Sequence, residues 1–156
     1  MPSLYKLTDS FPYLLNRVGV RMGELFSQRV STYGVTLPMY RVMAAIWESP
    51  GQRLNDLSTM TTIEISTLSR LVGNMEKLDF VLRRRLEDNA RTVAIHLTER
   101  GEQLVQELMP IAQHFEEVAV SGLSAANLKV MKKSLVTVYE SLNTLESELK
   151  QLRLKK

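Results

Sequence analysis

The sequence predicts a mainly α-helical fold carrying one small β-hairpin, and three observations predict it. Apolar residues recur at steps of three and four over most of the 156 residues, the mark of helix faces turned toward a core. One stretch alone, residues 80–97, changes to a period near two. Seven glycines and five prolines are few enough to leave long helices unbroken. Composition bounds the rest. With 44% hydrophobic and 24% charged residues, the chain reads as one ordinary globular domain spanning 1–156, and wholesale disorder is excluded. There is no cysteine and there are only two histidines, which removes disulfides, thiol chemistry and zinc ribbons and implies neither cofactor nor metal. No apolar run approaches the roughly 18 residues that span a bilayer. Met1 to Leu7 lacks a signal-peptide core, so a cytoplasmic protein without a membrane partner is expected. The net charge of +3 permits an anionic partner without requiring one.

The first helix is expected over about Asp9 to Tyr33. Phe11, Leu15, Val18, Met22 and Leu25 form its stripe, Asp9 or Ser10 its cap, and Gly34 its stop. Thr36-Leu37-Pro38 opens a second helix, whose segment Val42 to Trp47 suits burial and whose end is the turn Ser49-Pro50-Gly51. Two short helices follow, Leu54 to Met60 and Ile63 to Leu78, with Thr61 and Glu64 spaced as a capping box. Phe80 to Leu86 and Thr92 to Leu97 read as strands around a polar tip, Glu87 to Arg91; in the second, Val93, Ile95 and Leu97 alternate with Thr92, Ala94 and His96. Thr98-Glu99 opens a long helix with the stripe Leu104, Leu108, Ile111, Phe115 and Val118, expected to kink at Pro110. After Gly122, Ser124 caps a last helix. Its residues Leu128, Met131, Leu135, Val138, Leu142, Leu145, Leu149 and Leu152 keep strict 3,4 spacing, which marks a helix–helix packing seam.

The unit that points to function is helix, short turn, helix, then hairpin, over Leu54 to Leu97. A helix-turn-helix lays the start of its second helix against base edges in the major groove. Here that start offers Ile65, Ser66, Thr67, Ser69 and Arg70, polar apart from Ile65 and mostly small, while Leu68, Leu71, Val72 and Met75 lie on the opposite face. Hydroxyls can serve phosphates or bases, and arginine can grip guanine or a phosphate with two donors. In Arg83-Arg84-Arg85, strand alternation puts Arg84 on the face opposite the other two, so all three cannot do one job. The unit is neutral overall: Arg70, Lys77, Arg83, Arg84, Arg85 and Arg91 balance Asp56, Glu64, Glu76, Asp79, Glu87 and Asp88. A strong electrostatic footprint is therefore not expected.

Three stretches carry a resemblance: Val35-Thr36-Leu37-Pro38-Met39-Tyr40-Arg41-Val42-Met43, Ser66-Thr67-Leu68-Ser69-Arg70-Leu71-Val72, and Leu97-Thr98-Glu99-Arg100-Gly101. With the spacing between them, they make the chain resemble the MarR family of winged helix-turn-helix regulators over nearly its whole length. The resemblance implies a winged helix-turn-helix at 36–97, with 1–35 and 98–156 as dimerisation helices intertwined in a homodimer on a pseudo-palindromic double-stranded DNA operator. It implies DNA contacts by Ser66, Thr67, Ser69 and Arg70, by Arg84 at the family's strand arginine, and by the wing residues Asn89 and Arg91. The family's wing carries Asp-x-Arg where this chain has Asn89-Ala90-Arg91; asparagine still accepts a hydrogen bond but lacks the charge that orients a guanidinium best.

The function expected is a ligand-responsive repressor. In some family members an arginine at the place of Arg17 anchors a ligand carboxylate. Tyr13, Tyr40 and Met43 could add walls, giving a site for a small aromatic or phenolic carboxylate. An arginine at the edge of an apolar face is, on physical grounds alone, more often snorkelling to water. The rival function is a winged-helix protein–protein adaptor, supported by the neutral charge of Leu54 to Leu97. An enzyme is the weakest reading, because no nucleophile–base or paired-carboxylate arrangement emerges.

Overall fold

Ser10 stands between a 3-10 turn at Leu7–Asp9 and helix α1 (Phe11–Ser31), but it does not cap α1 with its side chain. Its hydroxyl donates backward to Leu7 O at 2.8 Å, so α1 starts on backbone geometry and Pro12 in its first turn. The helix ends at Ser31 with Thr32 as its C-cap, and in the turn that follows Gly34, at φ +70°, takes the left-handed conformation that a side chain would resist. The computed structural model describes residues 5–86 and 89–154, apart from the side chains of 86, 89–92 and 154. These residues fall into two compact units, one running to Phe115 and the other from Glu116.

In the first unit, α2 (Leu37–Glu48) is capped as expected: Thr36 Oγ1 accepts from Met39 N at 3.4 Å. It buries Met39, Val42, Met43, Ala45 and Ile46. Next come α3 (Leu54–Thr61) and α4 (Ile65–Lys77), joined by a turn in which Thr62 is left-handed at φ 58°. Strand β1 (Val81–Leu86) pairs antiparallel with β2 (Asn89–Leu97) in the register Val81 to Leu97 and Arg83 to Ile95, shifted after Arg85. Gln52 forms a bridge to Ile95, whose N–H donates to Gln52 O at 2.8 Å. Helix α5 (Glu99–Ala119) opens on Thr98, whose Oγ1 accepts from Gly101 N at 3.0 Å and donates to Asp79 O at 2.5 Å. That hydroxyl fastens the start of α5 to the turn before β1.

One core serves this unit. Phe26 and Val30 of α1, the inner face of α2, Leu57, Leu68, Val72, Met75, Phe80, Val81, Ile95, Val105 and Leu108 are all buried together. Phe26 meets Tyr40 and Phe115 edge-on, with ring centroids 4.8 and 5.4 Å apart. The α1 stripe from Phe11 to Leu25 lies outside this core and is exposed.

Four further details differ from the sequence reading. The hairpin is tighter, because β2 begins at Asn89 rather than Thr92. Its alternation fails: Ala94 and Ile95 are both buried and Val93 is exposed, because β2 packs against α2 and α3 as well as β1. Val105, absent from the expected α5 stripe, is fully buried, whereas Val118 is exposed. The capping box of Thr61 and Glu64 does not form: the buried Thr61 hydroxyl donates to Leu57 O at 2.6 Å, inside its own helix.

In the second unit, Ser124 Oγ accepts from Asn127 N at 3.2 Å and starts α6 (Ala125–Leu154). None of its described residues is buried; Met131, Leu142, Leu145, Leu149 and Leu152 are exposed. Among the described residues, no helix is long and apolar enough to cross a membrane.

Candidate nucleic-acid interface

Helix α4 is held by one face and offers the other. Leu68, Val72 and Met75, on the inner face, are fully buried. Ser66, Thr67, Ser69 and Arg70 project from the other face and are exposed, with Ile65 at the helix start. The core therefore fixes the helix while its first two turns stay free to enter a groove.

The start of this helix is built by Glu64. Its Oε2 accepts from Ser66 N at 3.0 Å, from Thr67 N at 3.1 Å, and from the Ser66 hydroxyl. The hydroxyl bond, the two backbone N–H groups and the nearby Arg70 charge hold the Glu64 carboxyl below its usual range. A glutamate three residues after a threonine suggests the second half of a capping box. It is instead the N-cap itself, one residue before α4.

The three strand arginines separate. Arg83 forms an ion pair with Glu76 of α4, and its other guanidinium nitrogen donates to Ser69 O at 3.4 Å. It ties the hairpin to α4 and is not available to DNA in this arrangement. Arg84, opposite Ala94, is exposed and makes no ion pair among the described residues. Arg85 is exposed as well. The side chains of Asn89 and Arg91 lie outside the described residues; their backbones open β2.

The four residues expected to hold an effector do not line one cavity. Tyr13 and Arg17 line a concavity of about 460 Å³ on α1, with Asn16, Val20, Arg21 and Glu24. Met43 is sealed in the core and cannot wall a cleft here, since α2 turns that face inward. Tyr40 is half-buried against Phe26, and burial pushes its phenol above its ordinary value. Among the described residues no group of three or more carboxylates or imidazoles could hold a metal.

The model of the transcriptional regulator family SarA/Rot matches residues 24–108, more than half of the chain. The organic hydroperoxide resistance transcriptional regulator of Bacillus subtilis is 25% identical over 138 residues, 88% of this chain and 92% of that one. AbsC, a MarR family transcriptional regulator from Streptomyces coelicolor, superposes with a TM-score of 0.80 at 22% identity, over 92% of this chain and 99% of AbsC. BpsR of Bordetella bronchiseptica, whose DNA binding is regulated by 6-hydroxynicotinic acid, superposes with a TM-score of 0.79 at 21% identity, over 88% and 98%. The fold is thus the winged-helix fold found in MarR family proteins, as the sequence resemblance implied.

Proposed function

We propose that this chain, which belongs to the SarA/Rot family of transcriptional regulators, is a homodimeric, ligand-responsive repressor that binds a pseudo-palindromic double-stranded DNA operator. Family membership makes it a regulator and not an enzyme. The observation that carries the proposal is the exposed polar face of α4, held from behind by a fully buried one. Residues 36–97 act as the reading head, and 1–35 and 98–156 supply the dimerisation helices. In a dimer each α4 enters a major groove, the two about one helical turn apart, and the hairpins reach the flanking minor grooves. Ser66 meets a base edge, Thr67, Ser69 and Arg70 base edges or phosphates, Arg84 a phosphate, and Asn89 with Arg91 the minor groove. The exposed apolar stripe of α1 supports a second copy as partner. Operator binding places the protein with the chromosome, in the cytoplasm.

The test is a mobility-shift titration on palindromic promoter fragments at several salt concentrations. The logarithm of affinity should fall linearly with the logarithm of salt. Arg70→Ala and Arg91→Ala should each weaken binding roughly tenfold or more in a dimer that melts like wild type, and unchanged affinity removes that residue from the interface. No retention of DNA even at low salt would favour the protein–protein adaptor, which the neutral charge of Leu54 to Leu97 also suits.

The effector part of the proposal rests on Arg17 and Tyr13 lining one concavity, a cationic anchor for a carboxylate beside an aromatic ring. A regulator of the same fold answers to 6-hydroxynicotinic acid, an aromatic carboxylate. Such a ligand shifts the separation of the two heads only if it binds the two states with different affinity. Titration calorimetry with hydroxylated aromatic acids should show binding to the wild type and roughly tenfold weaker binding to Arg17→Ala, the loss of one charge-assisted contact. Equal binding by both would clear Arg17 of the role.

A further inference from the structure

The hydroxyl hydrogen of Ser66 is already committed, because Glu64 Oε2 accepts it along with the N–H groups of Ser66 and Thr67. A serine hydroxyl has one hydrogen and two lone-pair sites, so Ser66 Oγ is left with lone pairs alone. A hydrogen bond to an ionised carboxylate is about twice as strong as one between neutral groups. A neutral base oxygen therefore does not draw the hydrogen away. The neighbouring hydroxyls differ. Those of Thr67 and Ser69 make no hydrogen bond among the described residues and keep both donor and acceptor capacity. The exposed start of α4 thus carries two groups, Glu64 and Ser66, that present acceptors only.

Major-groove edges divide on this property. Adenine offers its N6 amino group and cytosine its N4 amino group, whereas guanine shows N7 and O6 acceptors and thymine an O4 acceptor and a methyl. An acceptor-only pair gains a hydrogen bond from the first two and meets lone pairs or carbon on the others. A phosphate, also rich in lone pairs, repels it.

We propose that Glu64 is a specificity-determining residue: by holding the Ser66 hydrogen, it makes the start of α4 select an amino-bearing base, adenine or cytosine, at one position of each half-site. The inference rests on α4 being the recognition helix. It assigns the glutamate a role in base choice that is separate from capping the helix.

The test is selection of bound duplexes from a randomised pool by full-length wild type and by Glu64→Ser, with melting curves as a check on the fold. Serine is itself a favoured N-cap, so the helix start is kept while the carboxylate is removed. Wild type should enrich adenine or cytosine at one position per half-site on the strand facing α4, and Glu64→Ser should lose that preference. On the selected operator, wild type should bind roughly tenfold more weakly when that base is replaced by its analogue lacking the amino group, and Glu64→Ser should be indifferent. An enriched operator whose base preference is the same in both proteins would overturn this inference and leave the operator-binding function standing. A pool from which wild type enriches nothing would overturn both.

Discussion

Gly101→Ala is expected to destabilise the protein by about 3 kcal/mol or more. Gly101 is buried in the first turn of α5, and a Cβ there would sit 2.0 Å from Phe80 O. Helix propensity works the other way, since alanine is favoured over glycine by about 1 kcal/mol in a helix interior. Sterics win because the obstacle is a backbone carbonyl, which cannot rotate aside as a side chain can. That carbonyl already accepts from Thr98 N at 3.1 Å, and Thr98 Oγ1 donates to Asp79 O beside it. Moving α5 outward to admit the methyl breaks both bonds. Gly73→Ala in α4 is the contrast: nothing lies within 4 Å of its Cβ position, so only the propensity gain remains. Urea denaturation should show a lowered midpoint for the first variant and an unchanged or raised one for the second. Wild-type stability in Gly101→Ala would show that α5 shifts without loss.

Leu142→Asp is expected to yield unfolded or aggregated protein with no soluble dimer. Leu142 lies on α6 in the middle of eight apolar residues at 3,4 spacing, and is 49% exposed in the single chain. From Leu128 to Leu152 the seam extends about 36 Å along α6, and an apolar seam of that length calls for a partner helix. In a two-fold dimer the substitution enters twice, and each buried carboxylate carries a desolvation penalty of several kcal/mol. Glu140→Gln, on an exposed position of the same helix, should be silent. Light scattering after size exclusion, with far-ultraviolet circular dichroism, checks both. A folded monomer carrying Asp at 142 would show that the seam is not needed for folding.

What could be read from the sequence depended on the distance over which each feature is decided. Helices α1 to α6 follow from local periodicity and from caps such as Thr36 and Ser124, whose partners lie three residues on. The two faces of α4 were legible for the same reason, since a 3.6-residue period separates Leu68, Val72 and Met75 from Ser66, Thr67, Ser69 and Arg70. The alternation in β2 misled because Ala94 is buried along with Ile95, in a strand that packs against α2 and α3 as well as β1. The arginines of β1 could be divided by face but not by partner: Arg83 meets Glu76 and Ser69 O only after the chain has turned at Asp79, which is left-handed at φ 59°. Capping by Glu64 was hidden behind a competing motif. Thr61 satisfies a better-placed acceptor within its own helix, which leaves the glutamate to act alone.

The pairing of Arg83 with Glu76 also bears on how such a regulator divides its time. The stretch Leu54 to Leu97, with equal numbers of acidic and basic residues and Arg83 already paired, would release few counterions on settling on arbitrary DNA. On the proposed function, molecules that leave an operator would then return to free solution and not be stored along the chromosome. Search would be slower without long sliding or steering, but the unbound pool would stay open to a small-molecule effector of the kind proposed. If the chain acts as proposed, occupancy of its operator would then answer to the total amount of protein, with little of it withheld on other DNA.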